Sequence, residues 1–306
     1  MFRKIINILF IQFLFFNPLF AQIPPAKTEN IKRKYLDIPY ATVTPTQKLD
    51  IYLPEEGNGP FPVIISIHGG AFMIGDKGDM QVMPILNGLN HGYAVVSVNY
   101  RMSGEAIFPK DINDVKAAIR WVKANGSKYH LNPLKIATWG GSAGGNLAAL
   151  AGTSGGVKDL EDLSLGNADQ TSNVQAVVDW FGPIDFLKMD EQFKASGKGT
   201  PDHSEANSPE SKILGKQITL IPALVKAANP ATYITRDDPP FFVEHGKEDQ
   251  LVPTQQSINF AAELTKILGE PKVTLVLLDG TRHGGPQFET TENLDKVFAF
   301  LDKYLK

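Results

Sequence analysis

The sequence predicts an α/β protein with a mostly parallel central sheet and helices on both faces. Runs such as 63–67 and 94–98 are apolar except for one serine each, as expected of strands that are buried on both faces. Helical patterns alternate with such runs, which favours parallel pairing. At 306 residues, with 42% hydrophobic and 21% charged residues, the chain has the composition of a globular protein and the length of one large domain.

The first 21 residues differ in kind from the rest. Arg3 and Lys4 precede an apolar run over 5–20, and the small residue Ala21 follows. This order predicts a secretory signal peptide that is cleaved after Ala21. A transmembrane anchor is the alternative, but three polar amides interrupt the run. We therefore expect an exported protein, periplasmic or extracellular, with no stable membrane anchor after cleavage and a single domain over 22–306.

After a polar lead, the chain begins with a predicted edge hairpin over 35–53 and then alternates strands and helices. The later strands are predicted at 63–67, 94–98, 136–139, 174–181, 241–244 and 273–278. The helices are predicted at 81–90, 109–125, 146–151, 254–268 and 289–304. Segment 187–229 interrupts this alternation, and it is predicted to be either a surface excursion or a lid or wall over an active site.

The strand at 136–139 leads into a G-x-S-x-G sequence centred on Ser142. A strand, a sharp turn and a helix around this sequence predict a nucleophile elbow. Gly140 and Gly144 remove side chains that would collide with neighbouring elements. A glycine-rich turn without chemistry is the alternative, while a phosphate-binding loop is disfavoured because no Gly-Lys-Ser/Thr follows.

A serine nucleophile needs a base and an acid that orients the base. His283 lies in a glycine-flanked loop after the last predicted strand, and it is the predicted base. Asp249 follows the strand at 241–244 and is the predicted acid. Its rivals are Glu248, Asp279 and Asp238. The chain order of serine, acid and histidine differs from the orders in chymotrypsin and subtilisin.

The second element of such a site is a set of backbone donors for the oxyanion. His68, Gly69 and Gly70 follow the strand at 63–67, where bare glycine N–H groups can approach a ligand. The N–H group of Ala143, after the serine, is the other predicted donor. We interpret His68 as a structural brace rather than a base.

Together these segments resemble the α/β-hydrolase superfamily, and more narrowly the secreted bacterial carboxylesterases with an HGG signature, near hormone-sensitive-lipase-like and feruloyl or acetylxylan esterase-like enzymes. The resemblance runs from residue 49 to the C-terminus. It rests on LDIYLP (49–54), HGGAF (68–72), VNYR (98–101), DVKAAIRW (114–121), GGSAGG (140–145), DDPPFFVEHGKEDQLVP (237–253) and RHGG (282–285). Ala71 and Phe72 stand where the hormone-sensitive-lipase-like loop usually has glycine and tryptophan.

The resemblance implies a serine carboxylic-ester hydrolase with Ser142 as nucleophile, Asp249 as acid and His283 as base. It places the oxyanion between the N–H groups of Gly69, Gly70 and Ala143. The implied substrates are short acyl or aryl esters, of the acetyl or feruloyl type, as small molecules or linked to polysaccharide. Two alternatives remain open: a non-catalytic binding protein on the same fold, and an amidase or arylformamidase-like hydrolase.

The remaining expectations concern the pocket and the partners. Phe72, Trp180 and Phe288 are candidates to line the substrate pocket, although aromatic residues near strand ends are often core residues. No cofactor and no metal is expected, because the six histidines are scattered and no zinc motif occurs. The formal net charge of −3 without a basic stripe argues against nucleic acid, and the absence of cysteine excludes disulfides. The sequence indicates no oligomeric state.

Overall fold

An eight-stranded sheet runs through residues 23–306, the part of the protein that the computed structural model describes. The predicted signal peptide lies outside these residues. The strands are β1 (Lys34–Pro39), β2 (Lys48–Tyr52), β3 (Phe61–Ile67), β4 (Ala94–Val98), β5 (Leu131–Gly141), β6 (Ala176–Trp180), β7 (Phe241–Gly246) and β8 (Val273–Leu278). Their order is β1-β2-β4-β3-β5-β6-β7-β8. The edge strands β1 and β2 pair antiparallel, and β3 to β8 run parallel, so the predicted class is confirmed.

The helices cover both faces of the sheet. They are α1 (Met83–Leu86), α2 (Lys110–Asn125), α3 (Ala143–Thr153), α4 (Met189–Ser196), α5 (Pro209–Ile213), α6 (Pro222–Ala228), α7 (Gln255–Leu268) and α8 (Thr291–Leu305). Ile136 of β5 packs in one core cluster, with Leu147 of α3, while Trp139 of the same strand packs in the other, with Phe298 of α8. Strand side chains alternate between faces, so one strand supplies both cores.

The register of the central strands brings three loops to one edge of the sheet. Ile67 at the end of β3 pairs with Gly140 of β5, and Gly141 pairs with Trp180 at the end of β6. The carboxyl ends of these parallel strands are therefore level. The loops that follow them meet at this edge, where open α/β sheets commonly bind ligands.

The segment predicted as a helix over 81–90 is helical, but only its central part is α-helical. A 3-10 turn over Met80–Val82 precedes α1, and a second over Asn87–His91 follows it. Asp79 caps the first turn by accepting a hydrogen bond from Gln81 N at 2.9 Å, and Pro84 in the first turn of α1 lacks an N–H donor. None of the helices within residues 23–306 has the length and apolar character needed to cross a bilayer.

Candidate active site

Ser142 occupies a strained position between β5 and α3. Its backbone φ is +57°, a value that side-chain-bearing residues rarely adopt. A Cβ atom at Gly140 would lie 2.2 Å from the Gly144 carbonyl oxygen, and one at Gly144 would lie 2.1 Å from the Ile67 carbonyl oxygen. Both glycines are therefore required for the turn, which lifts the serine out of the sheet edge.

The structure brings the three predicted triad residues together. Ser142 Oγ lies 2.9 Å from His283 Nε2, and His283 Nδ1 lies 2.7 Å from Asp249 Oδ2. The Asp249 side chain is fully buried, whereas the imidazole of His283 is partly exposed. Both distances are within hydrogen-bonding range, so a proton can pass from the hydroxyl to an imidazole that a carboxylate orients.

Asp249 is held in its ionised form by its neighbours. Burial alone raises the pKa of this carboxyl, but hydrogen bonds and charge from His245 and His283 outweigh burial and hold its pKa well below the usual range. The Leu251 and Val252 N–H groups donate to Asp249 Oδ1 at 2.8 and 3.0 Å. The other carboxylate oxygen, Oδ2, contacts the two histidines.

The rival acids have other partners. Glu248 pairs with Lys198, Asp279 pairs with Lys247, and Asp238 binds the Thr235 hydroxyl. His245, in contrast, was not predicted to take part, yet its Nε2 lies 3.0 Å from Asp249 Oδ2. Its position at the end of β7, four residues before the acid, is the only sequence signal for this contact.

The oxyanion donors require one correction. The Gly69 N–H group donates to Gln81 Oε1 at 2.9 Å, so it is already engaged, and among the described residues Gly70 and Ala143 line the cavity while Gly69 does not. The Gly70 N–H group makes no hydrogen bond within residues 23–306, and Ala143 at the start of α3 has no acceptor in its own helix. Gly70 and Ala143 therefore remain as predicted donors.

Gln81 has a role that the sequence did not reveal. Its Oε1 accepts from Gly69, and its Nε2 donates to Asp79 Oδ2 at 3.0 Å. His68 braces the same loop from the other side, because its Nδ1 lies 2.8 Å from Gly69 O and its ring stacks on Tyr100 at 4.5 Å. The loop that carries Gly70 is thus held by side chains at two points.

A cavity of about 670 Å³ opens over Ser142 and His283. Phe72, Trp180 and Phe288 all line it, and the Trp180 and Phe288 rings pack with centroids 5.2 Å apart. Segment 187–229 contributes further lining residues, so it forms a wall of the site rather than a distant excursion. These residues are Thr200, Asp202, His203, Pro209 and Glu210. No group of three or more side chains within residues 23–306 is placed to hold a metal ion.

The parallel sheet, the serine elbow and the loop order define an α/β-hydrolase fold. The chain belongs to the BD-FAE family, which it matches over residues 49–264.

Known relatives are named as esterases. The chain is 32% identical to the probable carboxylic ester hydrolase LipM of Mycobacterium tuberculosis, over 81% of this chain and 56% of that protein. It therefore spans about half the length of the curated relatives it matches. A solved structure described as a truncated carbohydrate esterase from gut microbiota is 34% identical, with a TM-score of 0.80 over 91% of this chain and 98% of that chain. A bifunctional GH43-CE protein of Bacteroides eggerthii is 37% identical, with a TM-score of 0.79 over 89% of this chain and 35% of that chain.

Proposed function

We propose that this protein is a serine carboxylic-ester hydrolase that uses Ser142, His283 and Asp249 through an acyl-enzyme intermediate. The observation that carries this proposal is the continuous hydrogen-bonded line from Ser142 Oγ to Asp249 Oδ2, at 2.9 and 2.7 Å, on the floor of a cavity. A protein that only binds its ligand does not need a strained serine hydrogen-bonded to an imidazole that an ionised aspartate orients.

The chemistry follows from this geometry. His283 Nε2 takes the Ser142 proton as the hydroxyl oxygen attacks the ester carbonyl, and Asp249 stabilises the imidazolium that forms. The N–H groups of Gly70 and Ala143 bind the developing oxyanion, a contribution worth roughly 100- to 1,000-fold in rate for each donor. His283 then protonates the leaving alcohol. Water, activated by the same imidazole, releases the acid and restores the serine.

The proposed substrates are esters with a short acyl or an aryl acyl group, of the acetyl or feruloyl type. Support comes from the aromatic lining of the cavity and from structural relatives described as carbohydrate esterases. Because the ester bond is cleaved by residues of the chain alone, we propose no cofactor. We also propose that the protein is exported, since Arg3 and Lys4 precede an apolar run that ends at Ala21. N-terminal sequencing of the mature protein tests this, and a start at Gln22 is the expected result.

The variant Ser142→Ala tests the proposed function. We expect loss of p-nitrophenyl acetate hydrolysis and of fluorophosphonate labelling, with an unchanged thermal unfolding midpoint, because only the nucleophilic oxygen is removed. Ser127→Ala is the matched control, since Ser127 is exposed and lies outside the cavity. Labelling that survives in the Ser142 variant would assign the nucleophile elsewhere. A wild-type protein that is neither labelled nor active would be a binding protein, and faster cleavage of anilides than of esters would indicate an amidase.

A further inference from the structure

A second histidine–carboxylate pair lies in the wall of the same cavity. His203 Nδ1 is 3.0 Å from Glu210 Oε1, and both residues, contributed by segment 187–229, line the cavity over Ser142. The Glu210 side chain is 4% exposed and that of His203 is 12% exposed. Burying two charged groups costs free energy unless they pair with each other, so the contact between His203 and Glu210 is a specific feature of this wall.

Three neighbouring side chains fix His203, one through its backbone and two through its ring. Asp190 of α4 accepts hydrogen bonds from the N–H groups of His203, at 2.8 Å, and Ser204, at 3.0 Å. The ring stacks on Phe193, also in α4, with centroids 5.6 Å apart and planes inclined by 27°. With Glu210 holding Nδ1 as well, the ring orientation is set before any ligand enters the cavity.

The remaining ring nitrogen is available to a ligand. His203 Nε2 has no hydrogen-bond partner within residues 23–306, and it is not among the fully buried unpartnered atoms of this region, unlike His68 Nε2. Burial lowers the pKa of His203, but its hydrogen bond and charge interaction with Glu210, with Asp202 and Asp190 nearby, outweigh burial and raise the pKa above its usual value. Glu210 therefore favours the protonated ring, in which Nε2 is a donor.

Segment 187–229, which contains this pair, is hydrogen-bonded to the loop that contains Asp249. Lys198 of the same segment donates to Lys247 O at 2.7 Å and to Glu248 Oε1 at 2.9 Å. Gln250 and Leu251, directly after Asp249, line the cavity together with His203 and Glu210. This polar stretch of wall contrasts with the aromatic stretch formed by Phe72, Trp180 and Phe288. A cavity with an apolar part and a polar part suits an ester whose acyl and alcohol halves differ in polarity.

We propose that His203, oriented by Glu210, determines specificity by donating a hydrogen bond from Nε2 to a hydroxyl group in the alcohol half of the ester. Three carboxylates, of Asp190, Asp202 and Glu210, surround one imidazole, so an anionic alcohol would be repelled while hydroxyl groups are accommodated. The inference rests on the proposed hydrolysis of esters, carbohydrate esters among them, and names the residue pair that recognises the alcohol half.

The test compares two acetate esters of secondary ring alcohols, cyclohexyl acetate and a monoacetate of methyl xyloside. The measured quantity is the ratio of kcat/KM for the xyloside ester over that for the cyclohexyl ester. In the double variant His203→Phe/Glu210→Gln, phenylalanine keeps the stack on Phe193 and glutamine leaves no unpaired buried charge. We expect the ratio to fall about 10- to 100-fold, the range for a lost hydrogen bond to a charged donor. The single variant His203→Gln, which keeps an N–H donor, should have a ratio between that of the double variant and that of the wild-type enzyme.

The matched control is His91→Phe. His91 stacks on Phe298 with centroids 4.1 Å apart and does not line the cavity, so its ratio should stay within about twofold of wild type. An unchanged ratio in the double variant, or equal losses for both esters, would overturn the proposal, as would a wild-type enzyme that prefers the cyclohexyl ester. A wild-type protein that cleaves p-nitrophenyl acetate but neither test ester would also overturn the proposal, whereas one that cleaves none of the three would contradict the proposed function itself.

Discussion

Two histidine–carboxylate pairs face one cavity, and they differ in what the second ring nitrogen meets. His283 contacts Asp249 through Nδ1, and its Nε2 lies 2.9 Å from Ser142 Oγ. His203 contacts Glu210 through Nδ1, and its Nε2 has no hydrogen-bond partner within residues 23–306. The carboxylates differ as well. Asp249 accepts from two histidines and two backbone N–H groups, while one oxygen of Glu210 is buried without a partner in the described chain.

This contrast shows that a buried acid–histidine pair is not by itself a catalytic device. Its chemistry depends on the atom presented to the free nitrogen. In our proposal, the strained serine next to His283 makes that pair a proton relay, and the open cavity next to His203 makes the other pair a recognition site. Variants of each pair, and of Gln81 in the same cavity, test this distinction.

The largest effect is expected from Asp249→Asn, which should lower kcat about 10,000-fold. An amide in this position favours the wrong tautomer of His283, so Nε2 can no longer take the serine proton. Glu210→Gln should cost at most about tenfold in the same assay with p-nitrophenyl acetate, because Glu210 lies outside the relay. Glu248→Gln is the control, since this exposed carboxylate pairs with Lys198 and should leave kcat within about twofold. Equal losses in the Asp249 and Glu210 variants would remove the distinction between the two pairs.

An intermediate effect is expected from Gln81→Met, which keeps the length of the side chain and removes the acceptor for the Gly69 N–H group. The loop that presents Gly70 should loosen, lowering kcat roughly 10-fold with little change in KM, less than the loss of a whole oxyanion donor. Steady-state kinetics with p-nitrophenyl acetate measure this split. Gln255→Ala, at an exposed position of α7, should change neither constant. A rise in KM alone would place Gln81 in ground-state binding instead.

The smallest effect concerns stability against pH, where the two pairs should act with opposite sign. The lowered pKa of Asp249 contributes stability that is present above its unfolded value, near 4, and is lost as pH falls towards the folded value. The raised pKa of His203 contributes stability that is present below its unfolded value, near 6.5, and is lost as pH rises through the folded value.

Urea unfolding at a series of pH values measures both slopes. Asp249→Asn should flatten the acid side of the stability curve, and His203→Phe/Glu210→Gln should flatten the side above pH 6.5. A curve that is unchanged by the second variant would show that the Glu210 contact does not favour the protonated ring in solution.

The parts of the fold that the sequence predicted well are those with strong local patterns. The runs 63–67 and 94–98, rich in valine and isoleucine, lie in β3 and β4, and the glycines around Ser142 form the elbow. The segment predicted as a helix at 81–90 is helical, but it consists of α1 between two 3-10 turns, with Pro84 in the first turn of α1 and the Asp79 cap before the first 3-10 turn. The Gly69 N–H group, also predicted as an oxyanion donor, is engaged by the Gln81 carboxamide, a contact between separate segments that has no signal in the sequence.

Backbone sterics and local apolar patterning are readable in the sequence, and they predict the alternation of strands and helices and the strained turn at Ser142. Three other features depend on the folded structure: which glycine N–H group faces the cavity, the contact of His245 with Asp249, and the contact of His203 with Glu210 in the cavity wall. Each of these is a hydrogen bond set by how separate segments pack against one another, and packing of that kind leaves no periodic trace along the chain.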